Sequence, residues 1–399
     1  GSSPGFRRSS GSGGPGPPAR PGMPQRTWRV VGGEDKGGIV VRTGRELNSE
    51  REELRLATGS LVREEELQGG RLRFARLEGA GPETGWVSIS LGERPLLVPA
   101  DQELGPPAPA AGSQVPSFQL LDGRSMPALG LGVYRCNPGT ETYNSVKWAL
   151  ELGYRMVDTA YFYRNEESVG KAIMDSGIPR SELFVTTKLP PHGHGFDDTL
   201  RTCNESLDCL GLDYLDLYLI HSPTGGKLVE TWDALLELQR QGLVKSVGVS
   251  NFGRKHLEAL RSHGRPLPTV NQLEMHPLVY EERKPLVDYC VERKILVQAY
   301  GSVFSGQEHQ LQSKAVKKVL SGHPGKTPAQ VLLRWGHQMG FQVIPKSVRR
   351  ERIAENAAIF DFGLSADELA VLNGMRGSLN EYWFPMNAPV DLGRTDTWH

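Results

Sequence analysis

From about residue 116 onward the chain repeats one pattern: a short apolar run, an amphipathic stretch, then another apolar run. The apolar runs are RMVDTA, LFVTTK, LDLYLIH, VKSVGVSN, TVNQLE, ILVQAYG and FQVIPK. Runs with so little polar alternation suit strands covered on both faces. The stretches between them, such as ETYNSVKWALELG, DDTLRTCNESLDCLG, VETWDALLELQRQG and EERKPLVDYCVERK, end near a Gly or before the next β-branched run, as helices do. Strands joined by helical crossovers imply a parallel sheet under a layer of helices. Seven strands are read directly. An eighth is expected at Leu129–Val133 in ALGLGVY, after a short hairpin in FQLLDGRSMP. Eight such units in about 280 residues predict an α/β fold, a (β/α)8 barrel, with a doubly wound open sheet as the alternative.

The ends of these runs carry the next constraint. They finish at Asp158, Lys188, His221, Ser250 with Asn251, Gln272 with Glu274, Tyr300 and Lys346. In a barrel the C-terminal strand ends form one layer, and that layer is where chemistry collects. A buried polar group without a partner costs about 1 to 3 kcal/mol, so seven polar strand ends in one layer require a shared site.

The rest of the chain divides by composition. Residues 1–23 are almost entirely Gly, Ser, Pro and Arg, and are expected to be a disordered tail. Residues 24–98 hold the short runs WRVVGG, GGIVVRTG, GRLRFARLEG and GWVSISLG, punctuated by Gly, which predict a small all-β domain. Within it, GPETGWVSISL resembles the closing strands of bacterial-type SH3 domains. A structural or protein-binding role is expected there, because no catalytic constellation is present. Residues 99–115 form a Pro/Ala-rich linker, and residues 116–399 form the barrel.

Lys plus Arg equal Asp plus Glu at 46 each, so no global charge points to nucleic acid. No apolar stretch of about 18 residues suggests a membrane span. Cys136, Cys203, Cys209 and Cys290 lack CxxC or zinc spacing, and no metal is expected. Free thiols suit a reducing compartment, so a cytoplasmic location is expected. Import into an organelle is left open by the Arg- and Ser-rich first residues.

The motifs DTAYFYRNEESVG, TTKLPP, LDLYLIHSP, VGVSNF, NQLEMHP, VIPKSVRRERIAEN and FDFGLSADEL, in this order, identify residues 117–399 as resembling the aldo-keto reductase superfamily. The resemblance implies a catalytic tetrad of Asp158, Tyr163, Lys188 and His221. Carbonyl reduction needs a hydride from a nicotinamide and a proton on the developing alkoxide. A phenol is a weak acid at neutral pH, and a nearby ammonium favours its anion. Tyr163 is thus expected as proton donor, Lys188 and Asp158 as its tuning pair, and His221 as the group that orients the substrate oxygen. Tyr161, two residues earlier, is the competing phenol.

The resemblance further implies that Tyr300 stacks on the nicotinamide while Ser250, Asn251 and Gln272 hold its carboxamide. Lys346, Ser347 and Arg352 would take the 2′-phosphate, and Glu355 and Asn356 would face the adenine, which favours NADPH. No Rossmann fingerprint is present, since GLGVY lacks the third Gly. Tyr134, Ser222 (where relatives carry Trp) and Trp383 are expected as substrate-pocket walls. A monomeric reductase of small aldehydes and ketones is the leading expectation. A cofactor-binding regulatory protein, with a partner on the N-terminal β domain, is the alternative.

Overall fold

The computed structural model describes residues 26–33, 36–91, 94–100, 115–376 and 385–390. The expected tail at 1–23, most of the linker, and the pocket residue Trp383 lie outside them. The chain divides into two compact units, Gly1–Leu104 and Gly105–His399.

The N-terminal unit is an antiparallel sheet. Its strand order is Thr84–Ser88, Arg71–Glu78, Leu61–Gln68, Thr27–Val30 and Leu97–Pro99. Its core gathers Trp28, Val30, Ile39, Val41, Leu56, Val62, Leu72, Phe74, Val87 and Leu97. Two sequence expectations need correction. The run GGIVVRTG forms only isolated bridges, Ile39 to Leu56 and Arg42 to both Arg51 and Trp86. The central strand Leu61–Gln68 was not anticipated, because its LVREEELQ sequence looks like a solvated turn. Pairing explains it: Glu64 accepts from the Trp28 indole at 2.7 Å, and Glu65 meets Arg73 at 3.3 Å.

The second unit is an eight-stranded parallel barrel. In chain order its strands are Leu131–Gly132, Met156–Asp158, Phe184–Leu189, Leu215–Ile220, Val244–Ser250, Val270–Glu274, Leu296–Tyr300 and Gln342–Val343. Each pairs with its sequence neighbour. The ring closes where Gly130 donates to the Val343 carbonyl at 2.9 Å and Gly132 bridges to Lys346. The closed ring excludes the open doubly wound sheet. The first and eighth strands are shorter than the sequence suggests, because this seam is carried by isolated bridges.

The hairpin Ser117–Gln119 and Ser125–Pro127 plugs the floor of the barrel. Its Leu120 and Met126 pack with Met156, Phe184, Leu217, Leu219, Val270 and Ile344 into an interior cluster. The Ser246 hydroxyl donates to Asp122 of the hairpin tip at 2.6 Å. With the floor filled by side chains, the open end is the one where the strands finish. Outside the ring the helices bury a larger apolar layer that includes Trp232 and Trp335, both fully buried. Among the described residues no helix is long and apolar enough to cross a membrane, and no group of His, Cys, Asp or Glu could hold a metal ion. The four cysteines are unpaired, Cys209 alone being exposed.

Candidate active site

The second and third strands end side by side, and their last polar residues form a buried ion pair. Lys188 Nζ lies 2.5 Å from Asp158 Oδ1, with both side chains almost wholly removed from solvent. The same ammonium donates to the Thr159 carbonyl at 2.8 Å and to the Tyr163 hydroxyl at 3.3 Å. Burial pushes Asp158 up and Lys188 down from their ordinary values, while each one's charge pulls the other back. On the far side, Gln272 of the sixth strand donates to Asp158 Oδ2 at 2.7 Å. The second and sixth strands stand opposite one another in a ring of eight, so this bond crosses the barrel.

Tyr163 sits in a single 3-10 turn, Tyr161–Tyr163, directly after the second strand. Its ring meets the His221 ring edge-on at 5.7 Å and the Tyr134 ring at 4.9 Å. Burial, then the charge of Lys188, holds His221 well below the ordinary imidazole range, so its ring is neutral at pH 7. The competing phenol is placed elsewhere. Tyr161 donates to Glu205 at 3.2 Å and packs edge-on against His192, away from the buried pair.

The strand ends open into a cleft of about 640 Å³. It is lined by Asp158, Tyr163, His221, Ser250, Asn251, Gln272 and Tyr300 at one end and by Lys346, Ser347, Arg352, Glu355 and Asn356 at the other. The structure therefore brings together all the residues expected for catalysis and cofactor binding. Tyr134 also lines it. Ser222 does not. It is buried, and its hydroxyl is held by the Thr224 side chain at 2.9 Å and the Thr224 amide at 3.2 Å, so it caps a turn rather than walling a pocket.

The hydrogen-bond network shows what the cleft offers a ligand. Asn251 Nδ2 donates to the His221 carbonyl at 3.1 Å and to Ser250 Oγ at 3.0 Å. Gln272 Nε2 donates to Asp158 and to Gln298 Oε1, each at 2.7 Å. With these amide hydrogens engaged, the two residues present carbonyl oxygens, which suit a ligand that donates, such as a primary amide. At the other end, Lys346, Arg349 and Arg352 are exposed cations, and among the described residues none has a carboxylate partner. Their neighbour Arg350 turns away to Glu151 at 3.6 Å. Ser347 Oγ accepts from the Arg349 amide at 3.1 Å, which fixes the turn that presents this cluster. Three cations on one wall make an anion site. Thr327 donates to the Glu355 carboxylate and so orients it.

Sequence reasoning overlooked Arg349, although it lies inside a motif already singled out. It also overlooked Gln298, whose role depends on the neighbouring strand and has no local signature. Glu166 was missed as well. It is buried behind the third strand, where Thr187 donates to it at 2.6 Å.

A closed barrel with a buried ion pair, a phenol and a neutral imidazole at its mouth, beside an amide-accepting corner and a cationic wall, defines a nucleotide-dependent carbonyl chemistry. The sequence model of the aldo/keto reductase family matches residues 128–376, and the chain belongs to that family of oxidoreductases. It is 43% identical over 244 residues to a 9,11-endoperoxide prostaglandin H2 reductase of Trypanosoma cruzi, covering 61% of this chain and 86% of the relative. It is also 43% identical over 259 residues to a glyoxal reductase of Bacillus subtilis, covering 65% and 92%. Among solved structures, an aldo/keto reductase from Brucella melitensis superposes with a TM-score of 0.61 at 40% identity, covering 65% of this chain and 98% of that one. A Bombyx mori aldo-keto reductase in complex with NADP superposes with a TM-score of 0.61 at 38% identity, covering 65% and 92%.

Proposed function

We propose that the barrel unit reduces small aldehydes and ketones to alcohols with NADPH, using Tyr163 as proton donor. The observation that carries this reading is the 3.3 Å contact between the Tyr163 hydroxyl and Lys188 Nζ, with Asp158 at 2.5 Å behind the ammonium. Bound NADPH would supply the hydride. The residues that would hold it are Tyr300 for the nicotinamide face and the carbonyl oxygens of Asn251 and Gln272 for the carboxamide, with Ser250 supporting them. Lys346, Ser347, Arg349 and Arg352 would hold the phosphate, and Glu355 and Asn356 the adenine.

The chain's own part in the reaction is proton movement. As negative charge grows on the substrate oxygen, Tyr163 Oη gives up its proton to it. The phenolate left behind faces the Lys188 ammonium, which stabilises it. Asp158 keeps that ammonium charged and fixed in a site from which water is excluded. His221, neutral, donates a ring N–H toward the same oxygen and so orients the carbonyl.

A titration of NADPH binding together with an absorbance assay of its oxidation tests this, using methylglyoxal, a nitrobenzaldehyde and a simple ketone as substrates. Turnover of at least one substrate, faster with NADPH than with NADH, is expected. Tight NADPH binding with no turnover would replace the enzyme reading with a regulatory one.

A further inference from the structure

Three glutamines stand in one row across adjoining barrel strands. Gln272 of the sixth strand is the register partner of Gln298 of the seventh, and Gln298 is the partner of Gln342 of the eighth. All three are buried, Gln298 and Gln342 completely. Gln272 lines the cleft, whereas the other two do not reach it. A buried amide costs stability unless its hydrogen bonds are met, so an apolar side chain would fill either place at less cost.

The row has a direction, and the barrel floor sets it. Gln342 Nε2 lies 3.1 Å from the Pro127 carbonyl of the floor hairpin, 3.2 Å from the Met156 sulfur and 3.2 Å from the Val343 carbonyl. All three can only accept, so the NH2 end of Gln342 belongs there. Gln342 Oε1 and Gln298 Nε2 are buried and have no hydrogen-bond partner among the described residues. They are an acceptor and a donor on neighbouring strands at one register, and each supplies what the other lacks. Turning toward each other or sharing one water meets both needs, and either way Gln298 keeps its NH2 end on the Gln342 side. Its oxygen is then left for Gln272. Gln272 Nε2 donates to Gln298 Oε1 at 2.7 Å and to Asp158 Oδ2 at 2.7 Å. With both hydrogens used, the Gln272 oxygen is the end left for the cleft.

We propose that Gln298 and Gln342 are positioning residues that act through Gln272. The row carries the orientation of a floor carbonyl to the cleft, so that Gln272 offers an acceptor to the NH2 of a nicotinamide carboxamide. Without the row the Gln272 amide is free to turn over, and its NH2 would then meet the NH2 of the ligand. This inference rests on the cofactor reading above.

The test measures binding of NADP+ and of its 3-acetylpyridine analogue, in which a methyl group replaces that NH2, by quenching of tryptophan fluorescence. The unaltered protein should bind NADP+ about fivefold more tightly, the scale of one hydrogen bond. Gln298→Met and Gln342→Met keep the volume and remove the amide. Each should bring the ratio of the two dissociation constants close to one. Binding of the analogue, which needs no carboxamide contact, shows that a variant is folded, and if one variant fails to bind it the other carries the test. A side chain that merely packs would weaken both nucleotides alike, so an unchanged ratio in a folded variant overturns the inference. If the unaltered protein does not distinguish the two nucleotides, or binds neither, the carboxamide reading of Asn251 and Gln272 fails and this inference falls with it.

Discussion

The Tyr300 hydroxyl donates to Asn251 Oδ1 at 2.8 Å, joining the end of the seventh barrel strand to that of the fifth. Asn251 is also the residue that holds the His221 carbonyl, so one amide ties the expected stacking ring to the expected substrate-orienting imidazole. Tyr300→Phe keeps the ring and removes the tie. The expected outcome is a loss of about 1 kcal/mol in NADPH binding, read by fluorescence titration, with kcat reduced less than in Tyr300→Ala.

Tyr163→Phe removes the proposed proton donor and leaves the wall of the cleft in place. Turnover should fall by a factor of about 10² to 10⁴ while NADPH affinity stays within a factor of about two. Tyr161→Phe is the matched comparison, since that phenol points to Glu205. It should retain most activity, and equal losses in the two variants would remove the proton-donor assignment.

Lys188→Met leaves Asp158 buried against an apolar chain. Removing one partner of a buried pair costs about 3 to 5 kcal/mol, so urea denaturation should show a loss on that scale along with abolished turnover. A variant as stable as the parent would mean that Asp158 takes up a proton in the fold.

Acid should destabilise the barrel partly through His221. Its folded pKa lies well below the ordinary 6.5 because of burial and then Lys188, so below that pH the unfolded chain binds a proton that the fold refuses. The stability it contributes is present above about pH 6.5 and is lost as pH falls, at up to about 1.4 kcal/mol per pH unit. His276 and His256 are held low by burial and add to the same slope. Melting temperatures between pH 8 and pH 5 should therefore drop, and His221→Asn should reduce the slope.

Arg352→Ala removes one of the three cations on the wall proposed to hold the phosphate. NADPH should bind about tenfold more weakly and NADH nearly unchanged, with Arg349→Ala acting in the same direction. Equal losses for both nucleotides would show that these cations do not meet a 2′-phosphate.

The barrel was legible because each strand is apolar on both faces and stops abruptly at a polar residue. Burial makes that pattern hard to mimic. The seam was harder to read: Leu129–Val133 and FQVIPK look like full strands, yet their pairing reduces to two residues each and scattered bridges. In the N-terminal unit Leu61–Gln68 escaped because only Val62 is fully buried, and its charges are satisfied by Trp28 and Arg73 on neighbouring strands. Within the site, residue types at strand ends were legible, whereas direction was not. Tyr163 was told from Tyr161 only by its place in the motif, ahead of Arg164, Asn165 and Glu166, and nothing local shows that Tyr161 turns to Glu205 or that Ser222 turns inward to Thr224. Those outcomes depend on partners brought together only by the fold.

The bond from Gln272 to Asp158 links residues 114 positions apart on opposite staves of the ring. Lys188 has no water to fall back on, and Asp158, its counter-charge, is itself held from across the barrel. The machinery therefore cannot be assembled in a half-built barrel, where one side of that cross-brace would be missing. During refolding, catalytic competence should appear with the last strand to join the ring, so that activity reports circularisation of the sheet rather than the formation of any single part of it.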